Sequence, residues 1–138
     1  MIKVAILASG SGSNAQKILE YFSEHPEKAE VSLVLTNNPS AGGIKRGRSF
    51  HVPALVFDKH TLVRSDRILR LLQHEGIDLI VLAGFMMLIP PSWVAAYPNR
   101  ILNIHPALLP KFGGKGMYGH HVHEAVIAAG ERESGITI

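Results

Sequence analysis

The sequence predicts an α/β fold, a mostly parallel sheet with flanking helices. Three observations carry this. Apolar runs of strand length alternate with segments of helical spacing, the pattern of parallel strands joined by right-handed crossovers. Val4 to Ala8 is apolar without interruption, as a strand buried on both faces requires. The glycine-rich stretch Ser9-Gly10-Ser11-Gly12-Ser13-Asn14 follows that run at once and leads into a helix, a strand–loop–helix order typical of ligand-binding α/β sheets.

Taken in order, a strand over 3–8 precedes a helix over 15–24, which carries Ile18, Leu19 and Phe22 on one face and ends near His25-Pro26. A second strand over 31–36 runs into the turn residues Asn37-Asn38-Pro39-Ser40. A short helix follows over 41–50, weakened by Gly42, Gly43 and Gly47, then a third strand over 53–57. The strongest helical pattern covers 62–74, with Leu62, Ile68, Leu69, Leu71 and Leu72 as its apolar face and Gly76 as its stop. Strands four and five fall at 77–83 and 100–104, separated by a brief helix over 91–97 that begins with proline. A last helix over 121–129 stops at Gly130, and residues 135–138 open a further strand.

The chain has 138 residues, 46% hydrophobic and 18% charged, which suits a single globular domain over 1–138. Its net charge is +3, and the basic residues are scattered except at Lys45-Arg46-Gly47-Arg48. A nucleic-acid protein concentrates its basic residues, so a small anionic ligand fits better than nucleic acid. There is no cysteine, which excludes disulfides and thiolate chemistry and accords with the cytoplasm. The longest apolar run, 79–89, is too short to cross a bilayer, and no signal-peptide pattern opens the chain. A cytoplasmic location without membrane partners is expected.

In a parallel sheet the loops after strands one, four and five share the edge where ligands bind. The stretch Ile101-Leu102-Asn103-Ile104-His105-Pro106-Ala107-Leu108-Leu109-Pro110 puts Asn103 and His105 on one face. Leu102 and Ile104 point the other way, into apolar packing, and the two prolines hold the following backbone out of helix. The polar pair suits a carbonyl-handling site; its plainer alternative is a hydrogen-bonded Asn beside a core His. In the glycine-rich loop, free N–H groups at a helix start suit one phosphate, with Asn14 as an ordinary helix N-cap as the alternative. Neither a Walker lysine nor a third dinucleotide-type glycine is present. Gly84 and the apolar residues Phe85, Met86, Met87, Leu88 and Ile89 either line a pocket for a flat ligand or pack in the core. A mobile glycine-rich loop is expected over 113–119. After it come His120, His121 and His123, with Glu124 the one carboxylate beside them; these suit helix-start donors or solvated surface better than a metal site. Residues 45–48 form a solvated helix face or contact phosphate.

These stretches together resemble the phosphoribosylglycinamide formyltransferases of purine biosynthesis. The carrying motifs are Ile6 to Asn14, Val81-Leu82-Ala83-Gly84-Phe85-Met86, and Leu102 to Pro110. The resemblance implies a Rossmann-like formyltransferase fold and transfer of the formyl group of 10-formyltetrahydrofolate to the amine of glycinamide ribonucleotide, without a metal. It implies that Ser11, Gly12, Ser13 and Asn14 hold the substrate phosphate, with Gly84, Met86 and Pro106 also near the ribonucleotide. Phe85, Met86, Met87, Leu88, Ile89 and Asn103 would line the folate site, and Asn103 and His105 would be catalytic. Three departures stand out. Met87 replaces an arginine frequent in the family, the 113–119 loop is longer than the common form, and the family's catalytic aspartate falls after Ile138. Asp58, Asp66 and Asp78 do not match that motif. The chain is therefore expected to be an N-terminal portion with little activity alone. The alternatives are another formyltetrahydrofolate enzyme, such as a deformylase, or a phosphate-binding module without catalysis.

Overall fold

β1 (Ile2–Leu7) is the frame of the sheet. It pairs in parallel with β2 (Ala29–Thr36) on one side and β4 (Leu79–Ala83) on the other, and β2 pairs in parallel with β3 (Ala54–Val56). With β5 (Ile101–Ile104) the five-stranded parallel sheet has the order β3-β2-β1-β4-β5, as expected for a Rossmann-like fold. The chain lays β2 and β3 to one side of β1, then crosses to place β4 on the other. Such a reversal opens a crevice at the carboxyl ends of the two strands flanking it. In the computed structural model, residues 1–114, 116–117 and 120–138 are described, and they divide into the units Met1–Leu102 and Asn103–Ile138. Of the loop expected over 113–119, Lys115, Tyr118 and Gly119 lie outside the described residues.

In the first unit both sheet faces are covered, so Val4 to Ala8 are all buried. One face carries Ala5, Leu7, Leu33, Leu35, Ile80 and Leu82 in a core with Leu62, Leu72 and Trp93. A bulge keeps this pattern in phase. Val4 pairs with Val31 but Ala5 with Leu33, so Ser32 is the extra residue and the leucines of β2 stay on the face of Ala5 and Leu7. α1 (Ser13–Glu24) and α2 (Gly42–Ser49) are the helices between β1 and β3. Gly43 faces the sheet: a Cβ there would lie in ordinary contact, 3.4 Å from the Val34 side chain and 3.8 Å from that of Ala8.

The helix expected over 62–74 is instead two, α3 (Lys59–Arg64) and α4 (Arg67–His74). Leu62 and Ile68 are both core residues, yet six residues turn a continuous helix by roughly 240° and would put them on different faces. Ser65 makes the break. Its backbone is extended (φ −142°, ψ 163°), its hydroxyl donates to the Thr61 carbonyl at 2.8 Å, and it accepts from Arg67 N–H at 3.3 Å. Asp58 caps α3 by accepting from the Thr61 N–H and the Thr61 hydroxyl, both at 2.7 Å. α5 (Pro91–Ala96) begins with proline as expected and buries Trp93.

The expectation that Leu102 packs into the core is not met. Leu102 is 41% exposed and Ile104 half-buried, because β5 stands last in the strand order of the described residues. In the second unit, α6 (His120–Ala128) packs Val122 and Val126 against Ala107, with Phe112 and Met117 at the edge. Gly130, at φ 70°, closes the helix as expected. The strand expected over 135–138 is reduced to one antiparallel bridge between Thr137 and His105. Only Thr137 is engaged there, and Ile136 and Ile138 remain 61% and 74% exposed.

The Thr61 N–H, then its hydroxyl, hold the Asp58 carboxyl below the usual carboxylate range. A depressed carboxyl stabilises the fold above its unfolded pKa, and that contribution disappears as pH falls through the lower folded value. Asp58→Ala is therefore expected to lower Tm at pH 7. Thermal melts between pH 7 and pH 2 should show the gap from the parent narrowing towards the acid end.

Candidate active-site elements

The glycine-rich loop leaves β1 through Ser9, which is 3% exposed. A buried serine must find partners, and Ser9 finds them on both neighbouring loops. Its hydroxyl donates to Asn37 Oδ1 at 2.6 Å and accepts from Met86 N–H at 3.0 Å; its N–H donates to the Gly84 carbonyl at 3.1 Å. Asn38 donates to the Ser9 carbonyl at 3.3 Å. The loops after β1, β2 and β4 are thus joined at the point where the strand order reverses. This role of Ser9 and Asn37 escaped the sequence reading; the signal was a serine placed directly after five apolar residues.

Beyond Ser9 the backbone turns at Gly12, in the left-handed region at φ 77°, ψ 23°. Gly12 is the N-cap, and α1 starts at Ser13 rather than at residue 15. Asn14 is therefore inside the first turn and exposed, which removes its reading as the N-cap. The first helical bond runs from Gln16 N–H to the Gly12 carbonyl at 2.8 Å. The N–H groups of residues 11–15 have no acceptor among the described residues. A row of unpaired N–H groups at the positive end of a helix dipole attracts an anion.

α2 braces this turn from behind. Gly42 N–H donates to the Gly10 carbonyl at 3.0 Å, and Arg46 Nε donates to the Ser11 carbonyl at 2.8 Å. A Cβ on Gly42 would lie 1.9 Å from Ser11 O, and one on Gly12 would lie 2.9 Å from Gly43 N. Only glycine permits that approach. Of the basic run 45–48, Lys45 and Arg48 are exposed as expected, whereas Arg46 lies over the loop and also donates to Gln16 Oε1 at 3.2 Å. Gln16 in turn donates to Glu20 at 2.8 Å, and this bond, then Lys17, with Arg46 adding, lowers the Glu20 carboxyl below its usual range.

The 84–89 segment alternates. Phe85, Met87 and Ile89 pack against the core, while Gly84, Met86 and Leu88 face outward, Leu88 at 92% exposure. The core-packing reading holds for Phe85, Met87 and Ile89, whereas Gly84, Met86 and Leu88 are left outside the core. Met86 is beside the glycine-rich loop: its Cε lies 3.8 Å from where a Cβ on Gly10 would stand.

Asn103, His105 and Pro106 belong to the second unit. The His105 backbone exchanges two 2.8 Å bonds with Thr137. The Thr137 hydroxyl donates to the Ala107 carbonyl at 2.6 Å and accepts from Leu109 N–H at 3.1 Å. His105 Nε2 lies 2.7 Å from the Phe112 carbonyl. A carbonyl only accepts, so Nε2 carries a proton and Nδ1 is the ring nitrogen without a partner among the described residues. His105 is half-buried, whereas Asn103 is exposed and its amide makes no hydrogen bond among the described residues. The alternative of a hydrogen-bonded Asn therefore fails for Asn103. The three aspartates all have structural partners: Asp58 caps α3, Asp66 pairs with Arg70 at 2.9 Å, and Asp78 accepts from Lys3 N–H at 2.9 Å. His120, His121 and His123 are exposed on α6, and among the described residues no group of three or more His, Cys, Asp or Glu is placed to hold a metal ion.

Residues 2–138 match the family described as formyl transferase. The chain belongs to that family. It is 47% identical to a chloroplastic phosphoribosylglycinamide formyltransferase of Arabidopsis thaliana, over 99% of this chain and 48% of the relative. It is 36% identical to the phosphoribosylglycinamide formyltransferase of Haemophilus influenzae, over 100% of this chain and 65% of the relative. The crystal structure of glycinamide ribonucleotide transformylase 1 from Symbiobacterium toebii matches with a TM-score of 0.88 at 36% identity, over 99% of this chain and 64% of that one. The chain thus spans about half to two thirds of the length of these formyl transferases, and the resemblance drawn from its three motifs is borne out.

For a formyl transferase loop built this way, Gly12→Ala forces a side chain into the left-handed region and against α2. Urea unfolding should show a loss of about 1–3 kcal/mol, and titration with inorganic phosphate should show weakened binding.

Proposed function

We propose that the chain serves transfer of the formyl group of 10-formyltetrahydrofolate to the amine of glycinamide ribonucleotide. The observation that carries this reading is the unpaired row of N–H groups over 11–15, braced by α2, in a chain whose relatives are named phosphoribosylglycinamide formyltransferase. Ser11, Gly12, Ser13 and Asn14 would take the phosphate. Gly84, Met86 and Pro106 would stand near the ribonucleotide, and Phe85, Met86, Met87, Leu88, Ile89 and Asn103 would form the folate site. Outward-facing Met86 and Leu88 supply apolar contact surface for that co-substrate. Phe85, Met87 and Ile89 would act from behind, by fixing the backbone. A cytoplasmic location belongs to the same proposal.

In the reaction the amine nitrogen attacks the formyl carbon, and the carbonyl pair moves onto oxygen. Collapse of this intermediate expels N10 of the folate, which gains a proton while the attacking nitrogen loses one. The Asn103 amide and His105, as the imidazolium whose Nδ1 also carries a proton, would stabilise the oxyanion, as donors held in place before charge develops. The Phe112 carbonyl and the Thr137 bridge fix the His105 backbone and ring nitrogen, so little reorganisation is needed within the second unit. No metal is required for these steps.

Formyl transfer from a 10-formylfolate analogue to glycinamide ribonucleotide, followed by absorbance, tests this. The chain is assayed beside a version lengthened by the portion of its relatives that the match does not reach. In whichever form turns over, Asn103→Ala and His105→Ala are each expected to lower kcat about 10²–10³-fold. Ribonucleotide binding without formyl transfer in either form would favour a binding module instead.

A further inference from the structure

Resting on the phosphate role given above to residues 11–14, we propose that Arg46 is a positioning residue that aims the Gly12 N–H at the phosphate. A trans peptide carries its C=O and N–H on opposite sides. Arg46 Nε holds the Ser11 carbonyl at 2.8 Å, so the N–H of the same peptide group, that of Gly12, faces away from α2. The Gly42 N–H does the same for the preceding peptide: it holds the Gly10 carbonyl at 3.0 Å, which turns the Ser11 N–H away from α2 as well. The two peptide planes that would present donors to the anion are thus set by one helix.

Arginine suits this task better than lysine. Its planar fork donates in two fixed directions, here to Ser11 O through Nε and to Gln16 Oε1 through Nη1. Gln16 is fixed in its turn because its amide nitrogen donates to the Glu20 carboxylate at 2.8 Å, which leaves the amide oxygen for Arg46. The chain of contacts runs from Glu20 through Gln16 and Arg46 to the Ser11 carbonyl. All four groups lie in the first unit, on α1, α2 and the loop between β1 and α1. The ligand class this serves is a phosphate monoester, whose oxygens each accept several hydrogen bonds.

The test is calorimetric titration of the chain with ribose 5-phosphate, with ribose as blank and Tm as the control for folding. Arg46→Met is expected to weaken ribose 5-phosphate binding about 10–100-fold. A positioning effect persists at about 1 M salt, where the Debye length falls to about 3 Å, whereas a loss due to charge alone disappears. If Arg46→Met does not fold, Gln16→Met serves in its place. It keeps the charge of Arg46 but frees its fork, and should weaken binding several-fold. Unchanged affinity in the folded variant, or a loss that vanishes at high salt, overturns the proposal. If the parent chain binds ribose 5-phosphate no better than ribose, the phosphate role itself falls, which separates that failure from a failure of Arg46.

Discussion

The asymmetry of hydrogen bonding in the turn after β1 is the constraint on which the candidate phosphate site depends. From Ser9 to Gly12 every carbonyl is engaged: Ser9 with the Asn38 amide, Gly10 with Gly42 N–H, Ser11 with Arg46 Nε, and Gly12 with Gln16 N–H. The N–H groups over 11–15 are left without acceptors among the described residues. The first N–H groups of a helix have no acceptor within it. A turn that satisfies all its acceptors and few of its donors leaves those donors open to solvent or to an anion. Helix polarity adds to the same field.

That asymmetry needs the rest of the first unit. The carbonyls can be held only because α2 comes within backbone contact of the loop, which Gly12 and Gly42 allow. α2 stays there because Gly43 lies on Val34 and Ala8, residues of the buried sheet face. Ser9 then fixes the loops after β2 and β4 to the same point through Asn37, Gly84 and Met86. Core packing and polar chemistry are in this way one construction: the apolar strands place the ends, and hydrogen bonds at the ends place the donors.

The second unit solves a different problem with similar means. A histidine that is to act on a substrate must present one known nitrogen. His105 has its backbone fixed by Thr137 and its Nε2 committed to the Phe112 carbonyl, which leaves Nδ1 as the nitrogen without a partner among the described residues. Thr137 also fixes the turn that follows, through Ala107 and Leu109. Asn103 differs, being exposed and without a partner among the described residues.

Much of this was legible in the sequence. Unbroken burial of Val4 to Ala8 follows from their apolar run, proline marks the start of α5, and Gly130 ends α6, because these depend on local periodicity and backbone freedom. The three motifs likewise showed the family. What the sequence could not determine was decided by contacts between residues distant in the chain. Ser65 breaks a helix that periodicity read as continuous, since Leu62 and Ile68 must both reach one core. Leu102 is exposed because β5 is last in the strand order. Arg46 belongs to a run that reads as a solvated face or a phosphate contact, yet packing of α2 brings its guanidinium 35 residues back to the Ser11 carbonyl. Local spacing carries propensity and periodicity, whereas a side chain's partner is chosen by which elements the tertiary structure lays side by side.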